Sequence, residues 1–270
     1  MSDSQKIILS TIPTKSSMVI KHNALIRSTY DYSAVELKLI LAIASLVHPK
    51  DEEFQTYSIK ASEYAKLLGA DKQNQFKSFN KLGRQLLSKP LTIPDENGDI
   101  LCNWFSSYQY KDKEGRIECS FDPKLKPYML QLKQEFTQYK VENVIKMKSI
   151  YAIRIYEIAK SWEGLGRFTL SVENMKKTFG ISDKYTLYAD FKRKVILKAI
   201  KEINLHSDLK ISFKEIKQGR KVTSIRFLLG DIDFDDKVAD DLSGEDLIQA
   251  DTGVDEWLAS QPSSSRGVVL

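Results

Sequence analysis

The sequence predicts an α+β fold: two tandem copies of one unit, followed by an acidic tail. Three observations carry this. YSIKASEYAKLLGA (57–70) lies against FTLSVENMKKTFGI (168–181) without a gap, sharing an aromatic start, a hydroxyl residue, an aliphatic, a Lys and a Gly. Each copy follows an apolar helical stretch and precedes a second helical stretch and then strands. After Gly230 the composition changes, with eleven acidic residues against two basic ones over 231–270. Helix, short strand, helix, helix, hairpin is the order of a winged helix-turn-helix, so the chain reads as two of them in tandem. The division is a flexible leader (1–17), an N-terminal winged helix (18–146), a C-terminal winged helix (147–230) and a disordered acidic tail (231–270).

The elements follow in order. Residues 1–17 are polar. Val19-Ile20 opens an extended or irregular piece that ends at Asp31-Tyr32. Ser33 and Glu36 form a capping box for an almost wholly apolar helix, AVELKLILAIASLVH, stopped by Pro49. Tyr57 to Ile59 is a strand, and Ala61 to Leu68 a helix ended by Gly69. Lys72 to Leu87 is a second helix with Phe76, Phe79, Leu82, Leu86 and Leu87 inward. Strands follow at Leu91–Ile93, Ile100–Tyr110 and Ile117–Phe121, with a tight-turn signal at Asn97-Gly98. Asp122-Pro123 caps a helix through about Phe136, and Tyr139 to Lys148 links the halves. The second half then gives a helix over Ser149–Trp162, a strand over Phe168–Leu170 and a helix over Val172–Phe179 stopped by Gly180. One long helix follows from Tyr185 and then a hairpin turning at Gln218-Gly219.

Charge narrows the function. The chain has 41 Lys and Arg against 36 Asp and Glu. Setting the tail aside leaves 39 basic and 25 acidic residues over 1–230, a balance that points to a polyanionic partner. Two cysteines, Cys102 and Cys119, make no disulfide framework and read as buried thiols. The N-terminal apolar stretch is too short for a signal peptide, and the longest apolar run, Leu39 to Ala44, is too short to span a bilayer. A cytoplasmic protein is expected, without a membrane partner.

No catalytic signature is present. None of the twelve glycines is followed by Lys, which excludes a P-loop. His22, His48 and His206 are far apart, against a nickase of rolling-circle type. The acids Asp231, Asp233, Asp235 and Asp236 lack the glycine and distal Glu of a calcium loop. No cofactor or metal is expected.

The positive signal is the stretch 185–226. Its helix has an oily face at Phe191, Val195, Ile196, Ala199, Ile200 and Ile203, with basic residues mostly off that face. Lys192, Arg193 and Lys194 stand near the start of that helix, where a recognition helix meets base edges. Arg193 suits a guanine, at about 1–3 kcal/mol of discrimination. Lys184, Tyr185, Lys198, Lys217, Arg220 and Lys221 fall where backbone and wing contacts belong. The equivalent first-half helix is less basic, and its Lys72, Asn74, Gln75, Lys77, Lys81 and Arg84 suit backbone contacts or a second protomer. The bland alternatives are a solvated helix face and a module binding an acidic protein.

Three stretches resemble the iteron-binding plasmid replication initiator (Rep) family. They are VIKHNALIRSTYDYSAVELKLILAIA, KSIYAIRIYEIAKSW with Arg154, Tyr156 and Glu157, and ADFKRKVILKAIKEINLHSDLKISFKEIKQGRKVTSIRF. The resemblance covers roughly 15–230. It implies two winged helices related by a pseudo-two-fold, which bind direct repeats at a plasmid origin as monomers. It further implies help in opening an AT-rich region, recruitment of host initiator and replicative helicase, and autorepression as dimers. It implies base reading by Lys192, Arg193 and Lys194 of the second domain, with backbone contacts and dimerisation in the first. The acidic tail departs from the pattern. The alternative is a winged-helix transcriptional regulator without an initiation role, which shares the fold and differs in what happens after binding.

Overall fold

The computed structural model describes residues 7–8, 13–68, 76–95 and 97–230. A short strand, β1 (Ile7–Ile8), precedes β2 (Met18–His22), the one-turn helix α1 (Asn23–Arg27) and α2 (Ala34–Ala44). The capping box of α2 is formed: Glu36 N–H donates to the Ser33 hydroxyl, and Ser33 N–H to the Glu36 carboxylate. Nearly all of α2 is buried, as an apolar helix without a polar face must be. The helix ends at Ala44, and turns carry the chain from there to Pro49.

Next come β3 (Thr56–Lys60), α3 (Ala61–Leu68), α4 (Phe76–Ser88), β4 (Leu91–Ile93), β5 (Ile100–Cys102), β6 (Phe105–Lys111) and β7 (Arg116–Phe121). The strand expected over 100–110 is broken where Trp104 turns fully inward. Phe79, Leu82 and Leu86 face the core from α4, but Leu87 is exposed, correcting its inward assignment. Gly83 lies under the Tyr108 ring so closely that a Cβ would collide with it, which is why α4 can rest on β6.

The helix expected from Asp122 to Phe136 does not form as such. Asp122 caps a 3₁₀ turn (Pro123–Leu125), and α5 (Lys126–Met129) ends within one turn. Gln131 and Glu135 then take positive φ, and Phe136–Lys140 becomes strand β8, antiparallel to β2. The reason is alternation: Thr137 and Tyr139 are buried, whereas Phe136, Gln138 and Lys140 are exposed. Tyr139 to Lys148 is accordingly no free linker. It holds the end of β8 and α6 (Glu142–Ile145), with Val141, Val144, Ile145 and Met147 in the core. Residues 13–17, expected as part of a flexible leader, are tied to the same region: Val141 N–H donates to Ser17 O and Glu142 N–H to Lys15 O.

The second half runs α7 (Ile150–Ser161), β9 (Arg167–Ser171) and α8 (Val172–Thr178). A helix over 188–206 follows, made of α9 (Tyr188–Phe191), a π-helical segment (Lys192–Leu197) and α10 (Lys198–His206). The hairpin β10 (Ile211–Gln218) and β11 (Lys221–Leu229) closes it. Helix 188–206 starts three residues later than the sequence predicts, because Tyr185 adopts φ 56°, outside helical space.

The duplication is visible in the topology. The first half orders its sheet β1-β3-β7-β6 and the second β9-β11-β10. Leaving out β1, the repeat strand pairs in both halves with the second strand of the hairpin. Thr56 and Arg167, and then Ala61 and Val172, begin the paired elements at one sequence offset. Two winged helices therefore stand in tandem. The β4–β5 hairpin is an insertion that the second half lacks.

A buried polar cluster joins the halves. Lys21 on β2 pairs with Glu157 on α7 at 2.5 Å, both side chains 0% exposed, and Tyr139 hydroxyl donates to the same carboxylate. Arg154 donates from Nη2 to Ser28 O (2.7 Å) and Thr178 O (3.2 Å) and lies 3.8 Å from the Tyr30 ring centroid. Burial pulls the Lys21 ammonium pKa down, opposed by the charge of Glu157. Among the described residues no helix is long and apolar enough to cross a membrane.

Candidate nucleic-acid interface

Helix 188–206 is positioned from beneath. Phe191, Val195, Ile196, Ala199 and Ile203 are fully buried. Their spacing is i, i+4, i+5, i+8, i+12, whereas an α-helical stripe uses i, i+3, i+4, i+7, i+11. One residue is in excess, and the π segment takes it up in a single wide turn across the basic run. From α10, Glu202 accepts from Lys148 N–H (2.7 Å) and Ser149 N–H (2.9 Å), so the helix also caps the start of α7. The turn before it is held by Lys176, which donates to Tyr185 O at 2.7 Å and approaches the Phe191 ring.

The outward face carries the basic residues. Arg193 is 71% exposed and Lys194 52%, whereas Lys192 at 37% leans toward the hairpin. Each already has an anionic partner. Lys192 Nζ lies 2.6 Å from Glu215 on β10, with Phe213 beside it. Arg193 donates to Asp190 at 2.7 Å, and Lys194 lies 3.6 Å from the same carboxylate. Tyr188 hydroxyl donates to Glu215 at 2.9 Å. Burial pushes the Glu215 carboxyl up, but the hydrogen bonds from Lys192 and Tyr188 outweigh it and leave the group below its ordinary range.

Lys184 and Lys198 are exposed at either end of this face, and Tyr185 is half-buried in the entry turn. Lys217, Arg220 and Lys221 are exposed around the hairpin turn, where Gly219 takes φ 60°. Lys198, Lys217, Arg220 and Lys221 make no ion pair with a described residue. In the first half Lys81 and Arg84 are exposed on α4; Lys72, Asn74 and Gln75, and the side chain of Lys77, lie outside the described residues. Leu197 and Leu205 are exposed on helix 188–206 among the lysines. Sequence reasoning missed Asp190 and Glu215. Asp190 was readable from its i,i+3 and i,i+4 spacing to Arg193 and Lys194. Glu215 needed the fold that sets β10 beside the helix.

The remaining candidates for chemistry are structural. Among the described residues no three His, Cys, Asp or Glu come together to hold a metal. His22 caps α1 through Nδ1, which accepts from Ala24 N–H at 3.1 Å. Cys102 and Cys119 are buried free thiols, and burial pushes Cys102 up to about 11 and Cys119 higher. Neither is a thiolate near neutral pH.

Comparison with known proteins agrees with this architecture. Residues 18–160 match the family described as initiator replication protein, WH1, and residues 171–229 match initiator Rep protein, WH2. A replication initiation protein of Escherichia coli is 25% identical over 221 residues, covering 78% of this chain and 68% of the relative. The PI protein of Escherichia coli is 26% identical over 184 residues, 61% of this chain and 60% of that protein. A crystal structure of Pi initiator protein in complex with iteron DNA matches with a TM-score of 0.65 at 18% identity, covering 82% of this chain and 100% of that one. With WH1 and WH2 matched in tandem over the two halves that the fold repeats, the chain belongs to the replication initiator (Rep) protein family.

Proposed function

We propose that this chain initiates plasmid replication by binding direct repeats (iterons) of double-stranded DNA at the origin. One observation carries the reading: a replication-initiator chain whose second half sets an exposed basic helix face beside a basic hairpin turn. The relative named for replication initiation, and the similar fold solved on iteron DNA, support it. In this reading Arg193 and Lys194, with Lys192, meet base edges in the major groove. Lys184, Tyr185, Lys198, Lys217, Arg220 and Lys221 follow the phosphates. The first half adds backbone contacts through Lys81 and Arg84 and through the Lys72–Lys77 stretch, and it holds the self-association surface. The protein works by binding, without catalysing a reaction, in the cytoplasm. Origin opening, recruitment of host initiator and helicase, and repression of its own promoter complete the proposal.

A gel-shift titration on the DNA upstream of its own gene tests this. Stepwise occupancy of tandem repeats is expected. A single promoter site would replace the initiator by a transcriptional regulator, and binding without sequence preference would overturn both.

A further inference from the structure

The three cations proposed to meet the bases are all paired with carboxylates of their own chain. Five acidic residues lie between 181 and 230: Asp183, Asp190, Glu202, Asp208 and Glu215. Glu202 caps α7, and Asp208 serves Tyr156 and Lys160. Asp190 and Glu215 alone of the five turn to the basic run, one from the first turn of its own helix and one from the hairpin. Glu215 is fixed there by Tyr188.

We infer that Asp190 and Glu215 are specificity-determining residues that suppress binding to DNA of the wrong sequence. The inference rests on the proposed reading of this face as the base-contacting surface. Its physics lies in what each acceptor tolerates. A phosphate meeting Arg193 or Lys192 brings a full negative charge beside a carboxylate already there, and like charges so placed repel. A guanine edge offers neutral acceptors, O6 and N7. The Arg193 guanidinium has five N–H groups; Asp190 takes a bond from Nη2, leaving others for the base while the pair persists. The carboxylates therefore tax phosphate contacts and spare base contacts. The cations clear of both carboxylates, Lys198, Arg220 and Lys221, remain for the backbone.

The test uses the full chain with Asp190→Asn and, separately, Glu215→Gln. Duplexes are one selected by the wild-type chain from a randomised pool and a scrambled version of it. Titrations run across a salt series, with thermal melting to establish that each variant is folded. Each variant is expected to bind the scrambled duplex about tenfold tighter near 0.1 M salt, with a salt slope steeper by about 0.9, the signature of one more phosphate contact. Affinity for the selected duplex is expected to change less than about threefold, so the specificity ratio falls. Equal tightening on both duplexes overturns the inference, and so does an unchanged scrambled affinity. If the wild-type chain itself selects no sequence, the proposed function fails instead, and the two failures are distinct. Should Asp190→Asn not fold, Glu215→Gln decides alone.

Discussion

The first winged helix and the second share a sheet order and differ in the charge each displays at matching places. The first hairpin turn runs Lys111-Asp112-Lys113-Glu114-Gly115-Arg116, alternating in sign, and its flanking cations are spoken for: Lys111 by Glu118, Arg116 by the Ser58 hydroxyl. The second runs Lys217-Gln218-Gly219-Arg220-Lys221 with no acid. Their first helices differ as well. The α2 start is capped from within by Ser33 and Glu36, whereas the α7 start is capped by Glu202 from the basic helix. Apolar positions fix the shared topology, and exposed positions are free to diverge, so a duplicated fold carries one strongly basic face and one mixed face.

The largest effect tests whether the copies are thermodynamically separate. Glu157→Ala strands the Lys21 ammonium in the core and is expected to cost about 3–5 kcal/mol in urea unfolding. Both halves should unfold together earlier; a shift of only one of two transitions would show that the joint is not shared. Next, Gly83→Ala drives a methyl group into Tyr108 and is expected to destabilise by about 1–3 kcal/mol. Its counterpart, Gly219→Ala, meets open space and strains only a positive φ, at about 1 kcal/mol. Equal costs would mean that α4 moves off β6 freely.

The α2 cap carries a pH dependence. Burial raises the Glu36 carboxyl, but hydrogen bonds from Lys89 and Ser33 outweigh it, so the folded-state pKa lies below the ordinary 4.5. Its contribution is complete above that value and is lost as pH falls through the folded-state pKa. Glu36→Gln should therefore flatten the acid limb of the stability profile between pH 5 and 3, measured by urea midpoints. The smallest effects lie in the wings: Lys221→Ala should lower the DNA salt slope by about 0.9, and Lys113→Ala should leave it unchanged. Arg193→Ala should instead relax sequence preference, losing about 1–3 kcal/mol on the selected site alone. Identical behaviour of Arg193→Ala and Lys221→Ala would end the division between helix and wing.

Local signals survived into the structure where one short stretch held all the partners. The Ser33–Glu36 box, the repeat boundaries and the oily face of helix 188–206 are of this kind. The strand β8 was not legible, because its five residues alternate too briefly and its partner β2 lies more than a hundred residues away. The burial of Lys21, Arg154 and Glu157 was not legible either, since nothing in a linear sequence shows that three charges will bury one another. Within the interface, basic residues announced themselves by number; their acidic partner Glu215 depended on hairpin register.

The π turn has a consequence of its own. A helix one residue too long for the core beneath it can give that residue back. Deleting one residue from Lys192–Lys194 restores the i, i+3, i+4, i+7, i+11 stripe and lets the whole helix wind as α. Such a protein is expected to melt no lower than its parent. Its lysines and arginine would nonetheless sit out of phase, by about 100° of rotation per residue, and the wild-type site should no longer be bound. If the helix reads bases as proposed, chain length within this one turn is expected to set recognition while leaving the stability of the fold unchanged.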